Sequence, residues 1–494
     1  MDAGVLYSLL DSPLIVTVVT ILVFGINFVL AIGMIFLERR SAQSIWAWLL
    51  VLFFLPVIGF LLYLLFGGTI RSDKIFKMDK SQEIELEDLV TEQLEKISDD
   101  ALDFTDPVAE KHKQQIHMLL HNNQSFITTN NEITTFTDMH DKFDAMLEDI
   151  EAAEDHINFQ YYAFKLDDIG TRIYNALLKK QREGVRVRIL YDDIGSRSLA
   201  LRHFKDIEEA GGAVEAFFSS WMPLINPRMN YRNHRKIVVI DGQIGYIGGS
   251  NVADKYLGRD PKMGAWRDTH LRVTGGAVQA LQLRFMMDWN SHNNHLPMEY
   301  EEKYFPDDTH DGNTAMQISS SGPDETHQEI KYGYLKMIYS AQDSIYIQSP
   351  YFIPDQAVTE ALHVAILSGV KVNIMMPSFT DHPLVYWGSY SNAGAMAKMG
   401  ADVYLYTPGF FHPKMVMIDD EIVSVGTTNI DNRSFLLNFE INAFIYDSGE
   451  AVRQRKIFEE DIKDCEPLTI ERYEQRSLWI KFKEGVANLI EPLL

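Results

Sequence analysis

Five residues of this chain, His234, Lys236, Asp241, Gly248 and Asn251, recur as His412, Lys414, Asp419, Gly426 and Asn429, each displaced by 178 positions. Five residue types repeated in one register mark an internal duplication, which restricts the chain to an architecture of two similar units. The flanking sequence repeats too. His156-Ile157-Asn158-Phe159-Gln160-Tyr161-Tyr162 leads through a helical stretch to Gly184-Val185-Arg186-Val187-Arg188-Ile189-Leu190, and Ile345-Tyr346-Ile347-Gln348-Ser349-Pro350-Tyr351 leads likewise to Gly369-Val370-Lys371-Val372-Asn373-Ile374-Met375. Such runs separated by helices predict an α/β layer structure in each lobe, with further strands opening at Gly212-Ala213 and Gly400-Ala401. The predicted lobes cover residues 136–320 and 321–470 and face each other across one cleft.

Strand geometry gives the repeated residues a meaning. Residues two apart share a face, so His234 projects with Lys236 and His412 with Lys414. Asp241-Gly242 is a hairpin-turn signal, with Asp419-Asp420 in the corresponding place. The return strands bring Asn251 and Asn429 back beside their lysines. Two ammonium groups and two amides then form a donor-rich cradle for a phosphate diester, whose charge grows on the non-bridging oxygens during attack. With two lysines to supply that charge, no metal and no cofactor is needed. One neutral imidazole attacks phosphorus to give a phosphohistidine; the other protonates the leaving alcohol and deprotonates the incoming one. A single histidine cannot stand at both ends of an in-line displacement. Each ring needs an acceptor on its second nitrogen, and each lobe is expected to contain its own: Asp268, which follows His234, and Glu440, which follows His412. Asp241 and Asp419 belong to the catalytic motifs, but at the turns they can be structural. Pro413, between the second His and Lys, predicts that its strand begins there or lies at an edge.

At the N-terminus two uncharged apolar runs, about 14–36 and 45–66, are each long enough to cross a bilayer, with Trp46, Trp48 and Tyr63 toward the ends of the second. They predict a two-helix transmembrane hairpin within residues 1–70. Arg71, Lys74, Lys77 and Lys80 follow the second run, whereas the connecting loop has Arg39 and Arg40 beside Glu38, so the positive-inside bias puts the large domain in the cytoplasm. Residues 71–135 are expected to be an acidic linker poor in core formers, with a solvated helix around Glu83, Glu85, Glu87, Asp88 and Glu92. Residues 471–494 form an amphipathic C-terminal helix that rests in the lipid interface or docks on the domain. The formal charge of -24 argues against a nucleic-acid partner, and the single Cys465 excludes an intramolecular disulfide.

The doubled His-x-Lys-x4-Asp with Gly-x2-Asn resembles the phospholipase D superfamily. Tyr191-Asp192-Asp193-Ile194-Gly195-Ser196, Asn233-His234-Arg235-Lys236, Trp266-Arg267-Asp268, Ser349-Pro350-Tyr351-Phe352-Ile353-Pro354-Asp355, Asn432-Arg433-Ser434-Phe435 and the N-terminal Glu38-Arg39-Arg40-Ser41-Ala42 narrow the likeness to bacterial cardiolipin synthases. That resemblance covers essentially the whole chain. It implies a bacterial cell-membrane enzyme that condenses two phosphatidylglycerol molecules into cardiolipin with release of glycerol, and it is compatible with a homo-oligomer. The alternatives are a phospholipase D-type hydrolase with water as acceptor, another phosphatidyltransferase such as a phosphatidylserine synthase, a nuclease, and a scaffold without catalysis.

Overall fold

A computed structural model describes residues 13–37, 42–66, 80–102, 104–219, 230–291, 296–306, 310–379 and 381–490. The chain falls into two compact units, one holding residues 1–71 and the other most of the remainder.

In the first unit, Pro13–Leu37 is one helix, and Pro13–Phe36 is long and apolar enough to cross a membrane. The second expected span is two shorter helices, Ala42–Phe54 and Pro56–Phe66. Pro56 has no N–H to offer the carbonyl of Leu52 four residues before it. The Asn27 side chain of the first helix donates to that carbonyl at 3.2 Å and to the Pro56 carbonyl at 3.0 Å, so a polar residue in an apolar helix satisfies the break. Arg39, Arg40, Arg71, Lys74 and Lys77, which carry the charge bias, lie outside the described residues.

The second unit is built on one mixed sheet, 16 strands among the described residues. The first half comprises β1 (Ile127–Phe136), β2 (His156–Tyr161), β3 (Arg186–Asp192), β4 (Ala213–Phe217), a short β5 (Arg232–Asn233), β6 (Ile237–Ile240), β7 (Ile244–Gly248) and β9 (His270–Thr274), with a separate short β8 (Ala265–Arg267). The second comprises β10 (Thr314–Ser321), β11 (Ser344–Gln348), β13 (Lys371–Pro377), β14 (Asp402–Tyr406), β16 (Met415–Ile418), β17 (Ile422–Gly426), β19 (Asn438–Tyr446) and β20 (Cys465–Pro467). The short strands β12 (Phe352–Ile353), β15 (Gly409–Phe411) and β18 (Ile430–Asp431) stand apart from it. From the centre outward one half runs β1, β9, β7, β6, β2, β3, β4 and the other runs β10, β19, β17, β16, β11, β13, β14. The antiparallel pair β1–β10 joins them, Ile127 opposite Gln317, as expected where two copies meet about a local twofold.

One expectation is corrected. Residues 71–135 are not merely a linker. The acidic helix Lys80–Ser98 buries Leu86, Val90 and Ile97 in the second lobe's core, Gln93 pairs with both backbone groups of Ile127, and β1 is a central strand. The helix keeps its carboxylates outward and its apolar stripe inward. The C-terminal helix Leu478–Ile490 docks and remains exposed at once. Glu484 and Ala487 are buried, Arg476 pairs with Glu484 at 2.8 Å, and Asn488 donates to Ser391, while Leu478, Trp479 and Phe482 are 83%, 63% and 59% exposed.

Candidate active site

Both His-x-Lys segments lie ahead of the strands they were expected to occupy. β6 starts at Ile237 and β16 at Met415. In each lobe the chain leaves a short parallel pairing, β5 with β19 or β15 with β8, and enters an antiparallel one, β6 with β2 or β16 with β11. Three residues must bridge the two ladders, and these are His-x-Lys. Pro413 therefore removes no ladder bond. At the equivalent Arg235 the N–H donates instead to the Asn233 side chain, 3.2 Å away.

The short parallel pairings also cross the lobes. The His234 N–H donates to the Phe439 carbonyl at 2.9 Å, and the His412 N–H to the Arg267 carbonyl at 2.8 Å. Each ring is thus set beside the acid of the opposite lobe. His234 Nδ1 lies 3.0 and 2.9 Å from the two oxygens of Glu440, and His412 Nδ1 lies 2.7 Å from Asp268 Oδ2. This reverses the expected pairing within each lobe, because the strand that follows each motif reaches across the pseudo-twofold. The carboxylates are fully buried, whereas the histidine side chains retain 12% and 11% exposure, so the rings are the accessible members of each pair. A carboxylate on Nδ1 fixes the tautomer that leaves Nε2 with its lone pair.

Each lysine folds back on its own motif: Lys236 donates to the His234 carbonyl at 2.6 Å, Lys414 to that of His412 at 2.7 Å. The two sets also act on each other. Burial pushes His234 down to about 4 against the pull of Glu440, with Lys236 and Lys414 both lowering it. Burial and then Lys414 push His412 down to about 4, Asp268 opposing and Lys236 adding to the shift. Burial takes Lys236 well below its ordinary range and Lys414 to about 8. Both imidazoles are therefore neutral near pH 7, as a nucleophile requires.

The motif aspartates are turn anchors. Asp241 accepts from the backbone N–H groups of Glu154, Asp155 and His156, and Asp419 from those of Gln342, Asp343 and Ser344. Both stand at positive φ, 54° and 50°, within their hairpin turns. This sets them apart from the reacting groups: three N–H donors at the entry to β2 or β11 engage both oxygens of each carboxylate. Asn251 is engaged as well, accepting from the Ala163 N–H at 3.0 Å and donating to the Tyr256 hydroxyl at 2.9 Å. It fastens the end of β7 to the end of β2. Asn429 is buried with its Oδ1 unpartnered.

Sequence reasoning missed the clamp beneath each motif. Buried Asp288 receives Arg235 at 2.6 Å, Arg284 at 2.9 Å, Gln160 at 2.6 Å and Asn233 at 3.0 Å. Asp461 receives Gln348 at 2.9 Å and Arg267 at 2.8 Å. The available signal was a glutamine, Gln160 or Gln348, inside each repeated apolar strand; a buried amide needs a polar partner. Among the described residues no group of three or more His, Cys, Asp or Glu is arranged to hold a metal ion.

Comparison with known proteins places this geometry. The family described as "Cardiolipin synthase, PLD-like domain" matches residues 146–289 and 334–462, one copy per lobe. A second family, "Phospholipase_D-nuclease N-terminal", matches residues 25–68. The cardiolipin synthase of Staphylococcus aureus (strain Mu50) is 53% identical over 99% of both chains. The major cardiolipin synthase of Bacillus subtilis (strain 168) is 50% identical over 96% of this chain and 98% of its own length. Among solved structures, the phosphatidylserine synthase of Haemophilus influenzae superposes with a TM-score of 0.59 at 14% identity, covering 78% of this chain and all of its own, which is a likeness of fold.

Proposed function

We propose the reaction from one premise: the chain belongs to the cardiolipin synthase family of the phospholipase D superfamily. It transfers a phosphatidyl group from one phosphatidylglycerol to a headgroup hydroxyl of another, forming cardiolipin and releasing glycerol. The observation that carries this reading is the pair of buried, neutral imidazoles, each braced on Nδ1 by a carboxylate from the opposite lobe.

In the first step His234 Nε2 donates its lone pair to the donor's phosphorus, and the bond from phosphorus to the glycerol oxygen breaks. The leaving oxygen takes a proton from His412, which the bound phosphate anion holds in its charged form by opposing the effect of Lys414. Now neutral, His412 removes the proton from the incoming headgroup hydroxyl. That oxygen attacks phosphorus, the bond to His234 breaks, and both rings return to their starting state. Lys236 and Lys414 balance the equatorial charge in both steps. We assign His234 as nucleophile because its Nε2 has no hydrogen-bond partner among the described residues, whereas the Lys414 ammonium sits 2.9 Å from each ring nitrogen of His412.

The N-terminal helix holds the protein in the bacterial membrane, the broken second run completes a hairpin, and the catalytic domain lies in the cytoplasm. The exposed Trp479 and Phe482 stripe rests in the lipid interface, so bromine-labelled acyl chains should quench Trp479, and Trp479→Phe should remove that share of the quenching. Purified protein given phosphatidylglycerol alone should release glycerol and form a four-chain lipid. Phosphatidic acid as the main product would replace this reading by a hydrolase.

A further inference from the structure

Lys255 follows Asn251 in the chain and comes to lie beside the second histidine. Its ammonium is 4.9 Å from the ring centre of Tyr256 and 5.4 Å from that of Trp266. Both rings border His412, Trp266 at 5.3 Å and Tyr256 at 6.5 Å between centres. Lys255 is half-buried, and neither a hydrogen bond nor an ion pair holds its ammonium among the described residues. Asp381 is the carboxylate that acts on it most strongly, and both oxygens of Asp381 already accept from the Tyr351 hydroxyl, at 2.9 and 2.8 Å. A partly desolvated ammonium fixed on aromatic faces without a bonded counter-ion is placed to receive an anion from outside.

The proposed reaction supplies such an anion, and the inference rests on that reading. The acceptor must approach phosphorus from the His412 side, because His412 takes its proton. Its attacking hydroxyl belongs to a lipid headgroup whose own phosphodiester lies one glycerol unit away. Glycerol leaving by the same side carries no phosphate, and neither does water. A cation one ring beyond His412 therefore distinguishes the incoming lipid from both. Arg433 holds the equivalent place in the other lobe, 178 residues on, near Tyr162 on the His234 side.

We propose that Lys255 is the acceptor-phosphate site: it grips the phosphodiester of the second phospholipid and so holds that lipid's terminal hydroxyl at His412. Lys255 is thereby a specificity residue that favours transfer over hydrolysis, and it takes no part in forming the phosphohistidine.

The test uses the full-length protein in mixed micelles of phosphatidylglycerol, following the rapid first release of glycerol, the dependence of turnover on lipid concentration, and the ratio of cardiolipin to phosphatidic acid. Lys255→Gln should keep the first glycerol release within about twofold, raise the lipid concentration at half-maximal transfer by about tenfold, and move product toward phosphatidic acid. Lys255→Arg, which keeps the charge, should recover most of the transfer. An unchanged product ratio and concentration dependence in Lys255→Gln would overturn the assignment, as would loss of the first glycerol release in that variant. Absence of that release from the unaltered protein would instead remove the two-step reading beneath it.

Discussion

Around His234 and His412 the same five residues stand on the same scaffold, yet the two rings meet different surroundings. His234 faces both oxygens of a longer acid, Glu440, itself held by Thr427 at 2.5 Å and Asn438 at 3.0 Å. His412 meets the shorter Asp268 through one oxygen. Opposite Asp268 the counterpart of Thr427 is Gly249, where a Cβ would lie 2.1 Å from Asp268 Oδ1, so the shorter acid occupies the space that a side chain would need. Lys236 reaches only the backbone of its motif, while Lys414 also touches its ring. Arg235 clamps the first motif from within, and Pro413 leaves the equivalent clamp to Arg267 of the other lobe. Duplication thus preserved the frame and let the groups touching each imidazole diverge, which is what two unlike steps require of two like motifs.

The sharpest way to break this comparison is to remove one ring at a time. With phosphatidylglycerol, His234→Ala and His412→Ala should each lower turnover by about 10⁵-fold or more, since residues acting as a unit fail together. They should separate when the donor carries a nitrophenol leaving group, which needs no proton. His412→Ala should then accumulate a phosphorylated His234, detected by mass spectrometry, and His234→Ala should form no adduct. A phosphorylated His412 in the second variant would exchange the two roles.

The crossed acids come next in size. Glu440→Gln should slow the first glycerol release by on the order of 10³ to 10⁴-fold by losing the ring's tautomer and orientation, even though the change lies in the opposite lobe. Asp268→Asn should do the same to the His412 steps and be partly relieved by the nitrophenol donor. If Glu440→Gln were relieved and Asp268→Asn were not, the acids would serve the rings of their own lobes.

What the sequence revealed and what it hid follow from the kind of information each feature carries. The repeat identified the two lobes because His234 and His412 sit in one register, which needs no knowledge of how the lobes pack. The acids were legible as residues but not as partners. A separation along the chain says which carboxylate follows which motif, whereas β19 and β8 decide the pairing by crossing to β5 and β15. The acidic helix was misread for a similar reason: its carboxylates dominate composition, but Leu86, Val90 and Ile97 decide where it sits. Asp288 lay beyond reach, one carboxylate in a helix whose partners from elsewhere come from two separate segments, Gln160 and Asn233 with Arg235.

The pH dependence of the first glycerol release is a smaller test of the same asymmetry. His234 is held down to about 4, chiefly by burial, so the proposed nucleophile stays neutral at every pH above that value. The rate should persist down to about pH 5 and fall only as pH drops through about 4, well below the ordinary histidine range. On the alkaline side the loss should follow whichever disappears first, the proton that His412 gives to the leaving oxygen or the charge of Lys414, which lies at about 8. Because Glu440 raises the His234 value, Glu440→Gln should move the acid limb lower still; a limb that rises would mean that Glu440 does not favour the charged ring.

The smallest effect on chemistry is expected where the lobes remain alike. Asp241 and Asp419 each accept three backbone N–H groups at distances of 2.6 to 2.9 Å and face neither ring. Removing either carboxylate strands donors at the entry to β2 or β11, a loss of about 2–3 kcal/mol for hydrogen bonds to a charged group in a partly buried turn. Asp241→Ala and Asp419→Ala should therefore lower the thermal unfolding midpoint in detergent by similar amounts, while the rate per folded molecule stays within about twofold. The positive φ at both positions adds to the cost for alanine, so Asp→Asn, which tolerates that conformation and keeps one acceptor, should lose less than Asp→Ala. A variant that kept its unfolding midpoint but lost its rate would return that aspartate to the reacting groups, and a large difference between the two would show that divergence reached the frame as well as the rings.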